Sequence, residues 1–208
     1  MLNFGNDIIK DCIFSLILNY NIIINIYFMK KVQSYKSKTQ KLKTTPLILI
    51  LIFISQIVIS QSGEKFFNIA IQKFDSADFK GAVEYYTKCI ELETSLAEAY
   101  HNRALSKCNL KDYEGAILDH DKCISIDSSS IDYFYNRARA KFFIRDYYGC
   151  IKDNSTVIKM NPNFGLAYLN RGLVSSILGN KEDGCKDLIK AKEFNIKNAQ
   201  EIMNEYCR

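Results

Sequence analysis

A repeat with one fixed spacing is the sequence feature that most restricts how this chain can fold. The pair Asn-Arg returns at Asn102, Asn136 and Asn170 in steps of 34 residues, and one further step back reaches Asn68. Because each copy of such a unit can bury its apolar face only against its neighbours, the copies must stack into an array. This period divides the chain, without an insertion, into four equal units, residues 63–96, 97–130, 131–164 and 165–198.

Small and aromatic residues recur at fixed positions when each unit is numbered from its first residue. Positions 8 and 20 hold Ala or Gly, with one Cys, while position 4 is Phe or Tyr in every unit. Small side chains let two helices approach closely, and rings at positions 4 and 17 fill the gaps between helix pairs. A short polar residue at position 16 is placed to cap the second helix, namely Asp78, Asp112, Asp146 and Asn180.

This arrangement of columns resembles the tetratricopeptide repeat, which also has a helix breaker where the third unit has Pro162. The resemblance covers residues 63–198, and residues 199–207 resemble the helix that closes such arrays. It implies an all-α fold, a right-handed superhelical solenoid of four helix pairs plus a C-terminal capping helix at 199–208. The repeat domain is therefore predicted over residues 63–208.

Two columns predict ion pairs between the helices of one unit. Units two to four have Arg at position 7 and Asp at position 23, whereas unit one has Ile69 and Tyr85 there. Because the two columns change together, each Arg is expected to pair within its own unit, where a partly buried pair sets helix register. The predicted pairs are Arg103 with Asp119, Arg137 with Asp153, and Arg171 with Asp187.

In the family that the chain resembles, position 6 lies on the concave wall of the superhelix. An amide offers both a donor and an acceptor, so a row of Asn side chains could hold the main chain of an extended peptide. Two other roles stay open for these residues: solvated side chains, or hydrogen bonds to a neighbouring helix. Positions 5 and 9 add an apolar wall with one charge, which is typical of a peptide contact surface. The candidate groove residues are Asn68, Asn102, Asn136, Asn170, Phe67, His101, Tyr135, Leu169 and Arg139.

Several other functions are disfavoured. Seven of the 28 basic residues and two of the 23 acidic residues lie in residues 1–61, so the remainder is formally neutral and no nucleic-acid partner is expected. Phe67 and Ile71 replace the polar residues that grip acidic C-termini in related chaperone adaptors, so no carboxylate clamp is expected. With two His in the chain and no phosphate-binding loop, the sequence predicts no enzyme, cofactor or metal site.

The N-terminal part reads as a leader. Residues 29–62 combine six Lys, an apolar stretch at 47–59 and small polar residues near 60–62, the order of a secretory signal peptide. The alternative is an uncleaved signal anchor, which would tie the protein to a membrane through this segment alone. Residues 1–28 are interpreted as an upstream extension before a start at Met29, or as an extra apolar segment.

Export would place the cysteines in an oxidising compartment, periplasmic or extracellular. Cys185 and Cys207 lie on the last repeat helix and on the closing helix, which are expected to be neighbours, so a disulfide between them is possible. The predicted function is a protein interaction module that binds a peptide or protein segment of unidentified sequence in its groove. The alternative is a structural or assembly subunit of an envelope complex that uses outer faces or end repeats.

Overall fold

The computed structural model describes residues 45–92 and 96–207. Side chains are described from residue 61 onward, apart from residues 93–95 and 208, together with Ile54 and Ile57. The predicted upstream extension, 1–28, and the charged part of the predicted leader, 29–44, lie outside the described residues. Residues 53–208 form one compact unit.

The described residues contain nine helices and no strand, as the sequence predicts for an all-α array. Each consecutive pair from α2 to α9 is in contact, α3 also contacts α5, and α9 contacts α7 as well as α8. These contacts confirm a solenoid of stacked helix pairs with a closing helix. The helices are α1 (Thr45–Asp75), α2 (Phe79–Glu91), α3 (Leu96–Asn109), α4 (Tyr113–Ile126), α5 (Ile131–Phe143), α6 (Tyr147–Met160), α7 (Gly165–Ile177), α8 (Lys181–Glu193) and α9 (Ala199–Tyr206).

Helix α1 runs without a break from Thr45 to Asp75, through the predicted cleavage zone at 60–62 and into the first helix of unit one. Within the described part of the chain, no helix combines the length and the apolar character needed to cross a membrane. The cleaved signal peptide stays a prediction.

The turn inside each unit has one residue in the left-handed region, at position 15. These residues are Ala77, Lys111, Arg145 and Gly179, with φ between 59° and 86°. In unit two, the N–H of Lys111 donates to Cys108 at 3.0 Å and that of Asp112 to Lys107 at 2.9 Å. This reversal satisfies the last carbonyls of the first helix and places the next residue at the start of the second helix.

The predicted caps form in units one to three. Asp78, Asp112 and Asp146 each accept a hydrogen bond from the backbone N–H three residues later, at 2.9 to 3.0 Å. That donor is always Gly, because a Cβ there would collide with the capping carboxylate. The cap predicted at Asn180 is wrong, since its side chain makes no such bond. Unit four has Asp183 where the other units have this Gly.

The small-residue columns form the core between helices, as predicted. Ala70, Ala82, Ala104, Ala116 and Ala138 are all 0% exposed. The backbones of α7 and α8 approach closely at two glycines, where a Cβ on Gly172 would come within 2.8 Å of the carbonyl oxygen of Gly184. Larger side chains at these columns would separate the paired helices.

A disulfide joins α9 to α8. Cys185 and Cys207 lie with their Cα atoms 5.7 Å apart and form the bond that the sequence left open. Cys108, Cys123 and Cys150 are thiols that form no disulfide. The bond therefore ties the closing helix to the end of the array.

Candidate functional site

Each Arg at position 7 forms a two-pronged contact with the Asp of its own unit. Arg137 donates from Nε to Oδ2 of Asp153 at 2.8 Å and from Nη2 to Oδ1 at 2.6 Å. Burial opposes the charge, but the hydrogen bonds and charges of Asp153 and Asp121 outweigh it and raise the pKa of Arg137. The same geometry, at 2.7 to 2.9 Å, joins Arg103 to Asp119 and Arg171 to Asp187.

The third nitrogen of each Arg reaches back to the preceding unit. Nη1 of Arg137 donates to Oδ1 of Asp121 at 2.6 Å. The acceptor at this position 25 is a hydroxyl for the other two Arg residues, Thr87 for Arg103 at 2.9 Å and Ser155 for Arg171 at 3.1 Å. Because Thr, Asp and Ser share only an oxygen acceptor, this column does not stand out in the sequence.

A lysine completes the buried cluster in units two and three. Lys141 Nζ lies 2.9 Å from Oδ2 of Asp153, which is 1% exposed, and Lys107 lies 2.8 Å from Oδ2 of Asp119, which is 3% exposed. A buried carboxylate needs such partners to offset its lost hydration. These charged groups pair with one another inside the array, so they stabilise the fold and do not form part of a binding surface.

Two adjoining clefts open along the first helices. One, of about 210 Å³, lies between α3 and α5 and is lined by Leu105, Asn109, Asn136 and others. The second, of about 200 Å³, lies between α5 and α7 and is lined by Asn170 and Leu173 among others. Arg139 and Phe143 line both clefts, which makes one continuous surface. We call these two clefts together the first-helix groove.

The four Asn residues that were predicted to form a row along the groove lie in different environments. Asn136 and Asn170 line the groove. Asn136 Nδ2 donates to the carbonyl of Asp132 at 2.9 Å, and its Oδ1 accepts from Arg139 Nη1 at 3.4 Å. Asn102 shares a hydrogen bond with the hydroxyl of Tyr86, whose pKa burial raises to about 12. Asn68 is exposed and lies outside both clefts.

The position 5 residues pack between helices rather than line the groove. The ring of Phe67 meets Tyr86 at 5.6 Å between centroids, and that of Tyr135 meets Phe164 at 5.0 Å. Leu169 is partly buried and does not line either cleft. The apolar wall predicted at this column is therefore mostly interface between helices.

His101 also departs from the prediction of a groove contact. Its ring lies 5.5 Å from that of His120 and 5.1 Å from that of Tyr133, measured between centroids. Its Nδ1 is buried without a hydrogen-bond partner among the described residues. Burial lowers the pKa of His101, so the ring stays neutral near pH 7. His101 is a packing residue where α3, α4 and α5 meet.

His120 is fully buried behind it, with 0% exposure. Nδ1 lies 2.9 Å from the carbonyl oxygen of Ala116, so it carries the proton and donates, which leaves Nε2 as an acceptor. Nε2 has no partner among the described residues. Burial lowers the pKa of His120 to about 4. The two His rings therefore form a neutral pair within unit two, next to Tyr133 of unit three.

The aromatic floor of the groove was not predicted from the sequence. Phe143, at position 13, is 55% exposed and stacks on Tyr113 with ring centroids 4.6 Å apart. Phe142 meets Phe143 edge to face at 5.8 Å. Positions 6, 9 and 13 follow the three- and four-residue spacing of one helix face. Extending the face from Asn136 through Arg139 would have found Phe143.

The thiols near the groove are protonated at neutral pH. Burial raises the pKa of Cys150 to about 11 and raises that of Cys108 as well. Within the described ranges, no group of three or more His, Cys, Asp or Glu side chains is placed to hold a metal ion. The groove offers hydrogen bonds, aromatic surface and one cation.

One whole unit of the array, residues 97–130, matches the sequence model of the tetratricopeptide repeat. Through this unit and through its fold, the chain resembles tetratricopeptide repeat proteins. No curated protein matches its sequence. Tetratricopeptide repeats occur generally in protein-binding scaffolds.

Solved structures of tetratricopeptide repeat proteins share the fold. A MamA protein matches with a TM-score of 0.63 and 21% identity over 65% of this chain and 74% of its own. YrrB, with an unusual peptide-binding site, matches with a TM-score of 0.58 and 16% identity over 68% of this chain and 82% of its own. The first tetratricopeptide domain of Spaghetti, bound to an HSP90 peptide, matches with a TM-score of 0.55 and 22% identity over 58% of this chain and 95% of its own.

Proposed function

We propose that this protein binds a peptide or protein segment in the first-helix groove. The observation that carries the proposal is the continuity of the two clefts through Arg139 and Phe143. A surface that combines an exposed ring with amide groups suits an extended chain, which needs both apolar contact and main-chain hydrogen bonds. The proteins YrrB and Spaghetti, which share the fold, have a peptide-binding site and a bound peptide respectively.

Asn136 and Asn170 would supply the main-chain hydrogen bonds. Each amide can donate and accept at the same time, so it can pair with a peptide unit whatever the peptide's side chains are. Nδ2 of Asn136 already donates to the carbonyl of Asp132. Because this hydrogen bond is exposed to solvent, a ligand can replace it at little cost in free energy. Asn102 contributes less in this arrangement, because Tyr86 shares its side chain.

Photo-crosslinking in the native compartment tests this proposal. A photoreactive phenylalanine replaces Phe143 in the groove or, as the control, Tyr148, which is 76% exposed and lies outside both clefts. We expect a discrete crosslinked partner from position 143. The crosslink should disappear in a variant that also carries Asn136→Ala and Asn170→Ala.

A second pair of substitutions controls for the loss of two amides. Asn180 and Asn198 are exposed and form no side-chain cap, so Asn180→Ala with Asn198→Ala should leave the crosslink intact. A crosslink from position 143 that survives the loss of Asn136 and Asn170 contradicts the proposed role of these two amides. No crosslink from position 143 in any condition contradicts groove binding itself.

The alternative function is an assembly subunit of an envelope complex that uses outer surfaces. The observation in its favour is the exposure of large apolar side chains on the second helices, including Tyr148 at 76% and Leu118 at 65%. Such residues can contribute to a contact with another protein. The same experiment separates the two functions, because an assembly subunit should crosslink from position 148 and not from position 143.

We also propose that the protein is exported, to a periplasm or outside the cell. The leader-like order of residues 29–62 supports this, and so does the disulfide between Cys185 and Cys207, since such bonds persist in oxidising compartments. If the leader is retained, the protein is anchored to the membrane by it. The mass of the native protein decides this: a new N-terminus near Gln61 means cleavage, and an intact leader means an anchor.

A further inference from the structure

Arg139 differs from the other arginines on the first helices. Arg103, Arg137 and Arg171 are each committed to an Asp within 2.7 Å. Arg139 is exposed and forms no ion pair with any described carboxylate; its described contacts are with Oδ1 of Asn136 at 3.4 Å and the ring of Tyr135 at 6.0 Å. A guanidinium with five donors therefore has most of its hydrogen-bonding capacity unused.

The surroundings of Arg139 define what could bind it. It lines both clefts, and among the described lining residues there is no Asp or Glu and no second cation. The groove therefore has a positive centre with neutral, partly aromatic walls. A guanidinium binds carboxylate oxygens most strongly, and often through two parallel hydrogen bonds.

Phe143 supplies the second element of recognition. Residues four apart on a helix lie on the same face with Cβ atoms about 5–6 Å apart, so Phe143 stands next to Arg139. In an extended peptide, side chains two residues apart point to the same side and are about 6.8 Å apart at a rise of about 3.4 Å per residue. The two spacings are close enough for one peptide side chain to meet Arg139 and another to meet Phe143.

We propose that the ligand of the groove is an extended peptide segment with an acidic side chain two residues from a large apolar one. The carboxylate pairs with Arg139, and the apolar side chain packs on the exposed face of Phe143. This inference rests on the proposed groove function and specifies its ligand. The arrangement uses one Arg on one helix, so it differs from the multi-residue clamp for a C-terminal carboxylate that the sequence lacks.

Selection from a library of random dodecapeptides on the full-length protein tests the inference. We expect selected peptides to be enriched in Asp or Glu two positions from Phe, Tyr, Leu or Ile. Fluorescence anisotropy with a labelled selected peptide should show about tenfold weaker binding to Arg139→Gln. Binding to the wild-type protein should weaken with added salt, and binding to Arg139→Gln should respond less.

A matched variant controls for the lost positive charge. Arg145 is exposed, lies outside both clefts and forms no ion pair with a described carboxylate, so Arg145→Gln should bind the peptide as the wild type does. Circular dichroism checks that both variants are folded. Arg139→Lys, which keeps the charge but not the fork of donors, should bind with intermediate affinity.

The failure of this inference can be told apart from the failure of groove binding. Selected peptides that need Asn136 and Asn170 but lack the acidic residue, or bind Arg139→Gln unchanged, overturn the ligand inference and leave groove binding standing. A selection in which no peptide is affected by Arg139→Gln, by Phe143→Ala or by the loss of Asn136 and Asn170 overturns both proposals.

Discussion

Nη1 of Arg137, in unit three, donates a 2.6 Å hydrogen bond to Oδ1 of Asp121, in unit two. The other two nitrogens of the same side chain bind Asp153 in unit three. One guanidinium therefore joins both helices of its own unit and the second helix of the preceding one. This contact couples neighbouring units through hydrogen bonds as well as through apolar packing.

The two carboxylates that share Arg137 should differ greatly in their effect on stability. Asp153→Ala removes a 1% exposed acid and leaves the positive charges of Arg137 and Lys141 partly buried without it, so we expect a loss of about 3–5 kcal/mol in the free energy of unfolding. Asp121→Ala removes an acid with a 50% exposed side chain and should cost about 1 kcal/mol or less. Urea denaturation of both variants measures the difference, and equal losses would contradict the assignment of Asp153 to the scaffold.

The helix caps can be removed and installed. Gly115→Ala places a Cβ against the carboxylate of Asp112 and should cost about 1–2 kcal/mol through loss of the cap. Because Asp112→Ala removes the same cap, the double variant should lose much less than the sum of the single variants. The reverse change, Asn180→Asp with Asp183→Gly, should install the missing cap and stabilise unit four by about 1 kcal/mol. Thermal and urea unfolding measure these changes, and additive losses in unit two would refute the shared mechanism.

The buried His pair should make the array sensitive to acid. The folded-state pKa of His120 is about 4 and the unfolded value is 6.5, so the unfolded chain binds the proton more readily between these values. The stability that neutral His120 contributes is complete above pH 6.5 and is lost as the pH falls towards 4. From pH 7 to pH 5 this loss is about 2 kcal/mol.

His120→Leu isolates this effect, because unit four has Leu188 at the same position in its core. The free energy of unfolding of this variant should fall by about 2 kcal/mol less than that of the wild type between pH 7 and pH 5. Urea denaturation at the two pH values gives the comparison. Identical pH dependence in the two proteins would mean that His120 does not titrate on unfolding.

The disulfide should stabilise the closing end of the array. Cys185 and Cys207 are 22 residues apart in sequence. Closing a loop of this size lowers the conformational entropy of the unfolded chain, which stabilises the folded protein by about 3 kcal/mol. Cys185→Ser with Cys207→Ser should therefore lower the unfolding free energy by about this amount. A reductant should destabilise the wild-type protein and have a much smaller effect on the double variant. Mass spectrometry after alkylation checks the state of the bond, and equal sensitivity to reductant in both proteins would assign the effect to other thiols.

The array was predictable because the residues that define each unit recur every 34 positions. Columns of Ala and Gly at the helix contact predicted the helix pairs, and a short polar residue at position 16 predicted four caps, of which three form. The exception is Asn180, whose unit has Asp183 where the other three units have Gly. The pairing of Arg with Asp was expected from two columns that change together, and the structure forms all three pairs.

The groove was less predictable, because single columns do not show which face of a helix stays open. The residues at position 5 were predicted to line the groove. Instead, Phe67, His101 and Tyr135 pack against aromatic rings of neighbouring helices. Phe143 stays open although it is equally apolar, because its position on the helix points between the units rather than into a pair. Exposure depends on what packs against a residue, and that is not a local property.

The sequence by itself determined the number of units, their helical character and their register, because a 34-residue period permits one stacked solution. Only the tertiary structure decided which polar residues form pairs inside the array and which face outward. Arg137 and Arg139 are two residues apart on one helix, yet one is held by two Asp residues and the other lines both clefts. The difference is physical: a charge is neutralised by partners brought from distant parts of the chain, and the fold alone fixes where those partners lie.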